Sequence, residues 1–237
     1  MAEEFTRQTS QENILNELWW TELEAVTNRL WNDKPTKPVD AVLFGGRSWH
    51  DAQKEVLYRL AKDLYKQGMA KYIALYGGEG QRFGTAAPVN VVAPIKALAR
   101  ARFIKMGVPN EDIIDSDLPD VTKNNTLEEG RGFLKLAEKE GWKRLVFVAN
   151  PHQVLRMMLG LVKDINERGL DTDIYVATPT PDKFNWWRDV RGSQGIEKKP
   201  VYEHIQDEVD RIFHYQRQGD LSSFAELNKY LSQRDER

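Results

Sequence analysis

The sequence predicts an α/β protein with a central, mostly parallel sheet of about five strands between two helical layers, and further helices at both ends. Three observations carry this. Short apolar runs at 40–44, 71–76, 144–148 and 173–177 alternate with stretches of helical period. Two of the runs end in glycine pairs, Phe44-Gly45-Gly46 and Tyr76-Gly77-Gly78. Neighbouring parallel strands bring their carboxyl ends to one edge of a sheet, so the two glycine loops fall side by side where backbone N–H groups can approach a ligand. The architecture these features describe is three-layer and Rossmann-like.

The elements follow in chain order. Leu15, Leu18, Trp19, Leu23, Val26 and Leu30 recur at three- and four-residue spacing, which marks an amphipathic helix within an N-terminal extension, residues 1–38, that ends near Pro35 and Pro38. A helix over about 52–67, with Leu57, Leu60, Ala61 and Leu64 inward, joins the first two strands into a βαβ unit. After the second glycine loop a helix through Ile95, Leu98, Ala99 and Phe103 closes at Gly107-Val108-Pro109, where glycine ends it and proline prevents its resumption. Asp112-Ile113-Ile114 reads as a short edge strand.

The next helix covers about 125–139 and stops at Gly141, before a buried central strand at 144–148. Pro151 is placed in the first turn of the following helix, whose inner stripe is Val154, Met158, Leu161 and Ile165. Strand 173–177 completes an α/β domain over residues 39–178. Residues 179–237 pack on that same domain. Pro179 to Pro200 shows neither period and carries Phe184, Trp186, Trp187, Arg188 and Arg191. Structureless loops beyond ~12–15 residues are uncommon, so this segment reads either as a lid or as a surface wrap whose tryptophans complete the core. Two helices, through Tyr202, Ile205, Val209 and Phe213 and then Phe224, Leu227 and Leu231, end the chain.

Composition narrows the partners. At 237 residues the chain suits one well-cored domain. Lys plus Arg number 34 against 36 Asp plus Glu, which is not the basic footprint of a nucleic-acid binder. The absence of cysteine excludes disulfides, thiolate zinc sites and a cysteine nucleophile, and suits a reducing compartment. The first residues are acidic where a signal peptide is basic, and no apolar run reaches the ~18 residues of a membrane span. The expectation is a cytoplasmic protein that meets a small molecule.

Several motifs fail on inspection. Position 83 is Phe, so Gly78-x-Gly80 is not a dinucleotide fingerprint, and no Gly-Lys-Ser/Thr makes a P-loop. His50 replaces the second small residue of a nucleophile elbow in Gly46-Arg47-Ser48-Trp49-His50, which argues against Ser48 as a nucleophile. His204 and His214 are ten residues apart, not a metal-ligand spacing, and read as structural.

What remains is a constellation of four loops at one sheet edge: 45–51, 77–84, 122–128 and 149–156. Asn125 and Thr126 stand where a helix needs caps, and Glu128 and Glu129 where its dipole favours carboxylates. Capping alone accounts for Asn125 or Thr126 as well as ligand contact does. The segment Ala149-Asn150-Pro151-His152-Gln153-Val154-Leu155-Arg156 lies between a buried strand and a helix start that favours an anion. His152 and Arg156, one turn apart, can share a face. Catalytic candidates are His152 as general acid or base, with Asn125 and Thr126 orienting a ligand. Gly45, Gly46, Arg47, Gly77, Gly78, Glu79, Asn150 and Arg156 are the ligand-binding candidates, Arg47 and Arg156 as anion clamps. An ion pair between Arg156 and a carboxylate such as Glu128 or Glu129 is the structural alternative, and His50 is a reserve.

In this order the motifs resemble the domain-of-unknown-function family typified by YdcF, SanA and ElyC, over roughly residues 39–178. The matching segments are Phe44-Gly45-Gly46, Tyr76-Gly77-Gly78 where the family has Ser-Gly-Gly, Gly107-Val108-Pro109, and Asn125-Thr126-Leu127-Glu128. The family's Asn-Thr-x-Glu-Asn here ends in Glu129, its Thr-Ser pair becomes Ala149-Asn150, and its histidine falls on Gln153 with His152 one position earlier. An acidic residue expected after the second glycine loop is absent from Val91 to Lys96, and Glu79 is the substitute. The glycine loops point to a nucleotide-like ligand, and the resemblance adds S-adenosylmethionine as a candidate and envelope or lipid-carrier metabolism as setting. It allows a transferase or a phosphate-ester hydrolase. A non-catalytic sensor using the same pocket is the alternative, favoured by the missing hydroxyls. A metal-dependent hydrolase lacks a ligand cluster.

Overall fold

In the computed structural model, which describes residues 18–45, 54–76, 95–116, 126–179, 187, 189–191, 198–200 and 202–237, the apolar runs become β1 (Val39–Phe44), β2 (Ala70–Leu75), β3 (Ile113–Asp115), β4 (Arg144–Val148) and β5 (Asp173–Ala177). All pair in parallel, in the order β3-β2-β1-β4-β5. The helices are α1 (residues 18–31), α2 (Lys54–Lys66), α3 (Ile95–Lys105), α4 (Thr126–Glu140), α5 (Val154–Arg168), α6 (Glu203–Gln218) and α7 (Phe224–Asp235). The three-layer Rossmann-like fold expected from the sequence is therefore what this chain forms, with β3 at an edge and β4 inside.

Register and layering follow from side-chain alternation. Phe44 lies opposite both Leu75 and Val148. Asp40 fixes the opposite end: its Oδ2 accepts the N–H groups of Lys143 and Arg144 at 2.7 and 2.8 Å. Ala41, Leu43, Leu145, Phe147, Ile174 and Val176 face a layer containing Val26 and Leu30 of α1, Phe133 of α4, Met158 of α5 and Leu227 of α7. Val42, Phe44, Ile73, Val146 and Val148 face Leu57 and Ala61 of α2 and Phe103 of α3. Both terminal extensions thus share the core of the sheet. Helices α4 and α5 approach closely because Gly160 offers no side chain: a Cβ there would lie 2.8 Å from Leu127 Cδ2.

Both sheet edges are covered by side chains. On β5, Asp33 Oδ2 accepts the Val176 N–H at 2.8 Å, Arg234 donates to the Ile174 carbonyl at 2.6 Å, and the Tyr230 hydroxyl accepts from the Ile174 N–H and donates to the Thr172 carbonyl. On β3, Arg100 donates to the Ile113 carbonyl and pairs with Asp115 at 3.0 Å. Exposed strand edges invite pairing with other chains, and these contacts occupy them.

Two local readings of the sequence need correction, and α6 adds a feature that the sequence reading did not assign. Residues 151–153 form a turn and α5 starts only at Val154, so Pro151 precedes the helix. Within the segment that shows no strand period, β6 (Asp189–Arg191) and β7 (Lys198–Pro200) form an antiparallel pair, each too short to register as a period. In α6 the apolar stripe is not the inner one. Tyr202, Ile205 and Phe213 are exposed, whereas His204, Glu208 and Ile212 are buried. Among the described residues, no helix is long and apolar enough to cross a membrane.

Candidate switch-point site

The crossovers through α2 and α3 lie on one face of the sheet, and those through α4 and α5 on the other. The direction of winding therefore reverses between β1 and β4, which are neighbours. In open α/β sheets such a reversal places a crevice at the strands' carboxyl ends, the usual ligand position. Its walls begin at Gly45 after β1 and at Ala149-Asn150 after β4.

Gly45 has a neighbour that explains it. A Cβ at this position would stand 2.7 Å from Glu129 Cδ and closer still to Oε1, so only glycine leaves room for the carboxylate. Glu129 sits in the first turns of α4, and its Oε1 is shut off from solvent. Tyr76, the residue after β2, is 2 % exposed, and its N–H donates to the Phe44 carbonyl at 3.3 Å. Its ring packs on Phe133 with centroids 5.5 Å apart. Phe133 follows Glu129 by one helical turn, so tyrosine and carboxylate meet the same face of α4. The Tyr76 hydroxyl is shut off from solvent and has no hydrogen-bond partner among the described residues. Burial first, then the charges of Glu129 and Glu128, push this phenol far above its usual range. It stays protonated and is not a base.

Glu128 points elsewhere: it accepts from Arg131 at 2.9 Å, and Arg131 also donates to Asp164 of α5 at 3.3 Å. On the other side of the crevice, Asn150 is buried, its carbonyl accepts the N–H groups of Gln153 and Val154, and its Nδ2 donates to Gln153 Oε1 at 3.3 Å. Trp31 of α1 holds the next residue, donating to the Pro151 carbonyl at 3.0 Å. These bonds fix the turn that carries His152, which is half-buried with Nδ1 shut off from solvent. Thr178, just past β5, has a hydroxyl likewise shut off and without a partner among the described residues.

Arg156 is directed to α6. It is 8 % exposed, and its Nε and Nη2 donate to Glu208 at 2.5 and 3.3 Å, while Arg211 donates to the same carboxylate at 2.6 Å. The ion-pair alternative for Arg156 is realised, with Glu208 rather than Glu128 or Glu129 as partner. This pairing also explains why α6 buries a polar stripe: Glu208 faces Arg156, and His204 Nδ1 faces Asp207 at 3.3 Å. Asp207 in turn receives Lys199 of β7 at 3.0 Å.

Of the remaining sequence candidates, Gly46, Arg47, Gly77, Gly78, Glu79 and Asn125, with Ser48 and His50, lie outside the described residues. Thr126 opens α4, and its side chain is also outside them. The structure brings together Gly45, Asn150 and His152 at one edge and adds Glu129 and Tyr76, which the sequence reading did not single out. Both had left a trace: they stand where the resembled family has asparagine and serine. Among the described residues no three His, Asp or Glu side chains form a group suited to a metal ion.

Compared with known protein families the chain matches none, and no curated protein matches it.

Proposed function

We propose that the chain is a YdcF-like protein that binds a nucleotide-like or S-adenosylmethionine-like small molecule in the crevice between β1 and β4, in the cytoplasm, as a transferase or phosphate-ester hydrolase. The observation that carries this is the juxtaposition of Gly45 with Glu129 at the reversal of strand order, facing the turn that holds Asn150 and His152. In this reading His152 serves as general acid or base, and backbone N–H groups of the glycine loops, with Arg47, meet the anionic part of the ligand.

One observation favours a second reading, a non-catalytic sensor. Arg156 is held by Glu208 and ties the start of α5 to α6, so occupation of the crevice would be felt by the C-terminal helices. Native mass spectrometry for a co-purified ligand, followed by calorimetry with S-adenosylmethionine and AMP, tests binding. Release of S-adenosylhomocysteine or of phosphate from a substrate panel, lost in His152→Ala, separates enzyme from sensor. No retained mass and no binding of either compound would sink both.

A further inference from the structure

Helix α6 is amphipathic in the opposite sense to a helix packed on a core. Its inward face is polar: Glu208 holds Arg156 and Arg211, and His204 lies beside Asp207. On its outward face Tyr202, Ile205 and Phe213 are 42, 37 and 44 % exposed. The outward stripe does not stop at the ends of the helix. At one end Trp187, 78 % exposed, packs on Tyr202 with ring centroids 5.1 Å apart. At the other, Phe213 meets Trp19 edge-on at 5.8 Å, and Trp19 meets the half-exposed Trp20 at 5.2 Å. Apolar side chains thus line one surface over the whole of α6, a length of ~24 Å.

Its size suits association. Tyr202, Phe213, Trp20 and Trp187, each about half exposed or more and worth ~150–250 Å² when buried, leave on the order of 400 Å² of aromatic surface. A standard interface covers ~800 Å² of each partner and is a little over half non-polar. Charge identifies the partner. The first half of α6 carries Glu203, Asp207, Glu208 and Asp210 and no base, and the second half carries Arg211, His214 and Arg217 and no acid. Of these, Glu203, Asp210, His214 and Arg217 are exposed and make no ion pair among the described residues. A second α6 laid antiparallel across the stripe sets the acidic half of each helix along the basic half of the other, as a twofold axis requires. A parallel one opposes like charges. Helices that lie on membranes carry Lys and Arg along the polar face, which the acidic half of α6 does not.

We infer that the chain pairs with a second copy of itself through the outward face of α6, the two helices antiparallel, with Trp187 and Trp20 extending the contact at its ends. The inverted helix then has a partner for each face, Arg156 inside and the second copy outside. The inference is independent of what the crevice binds.

Sedimentation of the full chain from about 1 to 100 µM tests it, and the mass should rise toward twice the 27.4 kDa of one chain. Ile205→Lys should weaken the dimer by at least about a hundredfold. Val56→Lys, at an equally exposed apolar position of α2 in the opposite helical layer, should leave it unchanged. Glu203→Lys and Arg217→Glu should each weaken it by about tenfold, because symmetry applies every substitution twice, and the double variant should recover most of that loss. Circular dichroism checks each fold, and Tyr202→Ser supplies a second break in the stripe. A constant mass of one chain over the whole range would overturn the inference. So would a dimer that survives both Ile205→Lys and Tyr202→Ser. A double charge variant weaker than either single one would rule out the antiparallel arrangement. A monomeric chain that sediments with phosphatidylcholine vesicles, and ceases to in Ile205→Lys, would assign the stripe to a lipid surface instead.

Discussion

Glu129 occupies the space that a side chain on Gly45 would need. The two residues are 84 positions apart in sequence, yet each constrains the other. Gly45→Ala should push the carboxylate aside. Because the displaced atoms are the end of a flexible side chain, the loss of stability should fall at the low end of about 1–3 kcal/mol, the range for overpacking. Ligand binding should suffer more than stability does. In the double variant Gly45→Ala/Glu129→Ala the stability should return while binding stays lost, a coupling that urea unfolding and calorimetry resolve together. Equal stability losses in the single and double variants would refute the close approach.

Glu208 is 3 % exposed and holds two arginines, so its removal should be costly. Glu208→Ala is expected to destabilise by about 3–5 kcal/mol, because the buried Arg156 is stripped of this carboxylate. Arg156→Met should cost less, since Arg211 stays beside Glu208. Arg156→Met/Glu208→Leu, which exchanges the pair for apolar volume, should be more stable than Glu208→Ala alone. Urea midpoints at pH 7 rank the three. A Glu208→Ala variant as stable as wild type would mean that the pair contributes nothing.

The sheet was legible from the chain because its strands are buried on both faces and so read as continuous apolar runs, with glycines marking where helices stop at 107 and 141. The site was only half legible. Gly45, Asn150 and His152 announce themselves by following strands. Glu129 and Tyr76 do not, because each has a sufficient local explanation, a first-turn carboxylate and a strand-end aromatic. Only the crossing of α4 over the sheet brings them together. For Arg156 the sequence offered an ion pair as the alternative to an anion clamp, but not the carboxylate that makes it. Its partner is 52 residues away on a helix whose polar stripe, His204 and Glu208, breaks the rule that buried helix faces are apolar.

The start of α7 provides a pH-dependent contribution that can be isolated. Ser223 and Glu226 form a capping box: the Ser223 N–H donates to Glu226 Oε2 at 2.7 Å, the hydroxyl does so at 2.8 Å, and the Glu226 N–H returns a bond to Ser223 Oγ. The Ser223 backbone bond, then its hydroxyl, lower the Glu226 carboxyl below its ordinary value of 4.5. A carboxyl lowered in the folded state stabilises fully above the unfolded value and loses that contribution as pH falls through the folded one. Glu226→Gln should therefore be less stable than wild type at pH 7, and the difference should shrink below about pH 4.5. Thermal melts from pH 7 to pH 3 check this. A constant difference would assign the effect to something other than ionisation.

Tyr76→Phe should not destabilise the ligand-free protein. A buried hydroxyl left without a partner costs about 1–3 kcal/mol of desolvation. Deleting it while keeping the ring on Phe133 should leave stability unchanged or raise it by up to about 1 kcal/mol. Ligand, when present, should then stabilise the wild type more than the variant. A marked loss of stability without ligand would mean that the hydroxyl is satisfied within the protein and is not waiting for a bound group.

Asp33 and Arg234 close the far edge of the sheet. Arg234 donates to both Asp33 oxygens, at 2.8 and 2.7 Å, and to the Ile174 carbonyl, while Asp33 accepts the Val176 N–H. One residue precedes β1 and the other lies on α7, so the chain's two ends are joined over β5. Asp33→Ala leaves a buried arginine without this carboxylate and frees a strand N–H, and should cost about 3–5 kcal/mol. It should also expose a strand edge that pairs with other copies, raising light scattering on warming before the main unfolding transition. Arg234→Lys should recover little, because one ammonium cannot reproduce a planar fork that meets two carboxylate oxygens and a carbonyl together. If Asp33→Ala instead melts within a degree of wild type and scatters no more light, the clamp is incidental and β5 is protected by α7 packing alone.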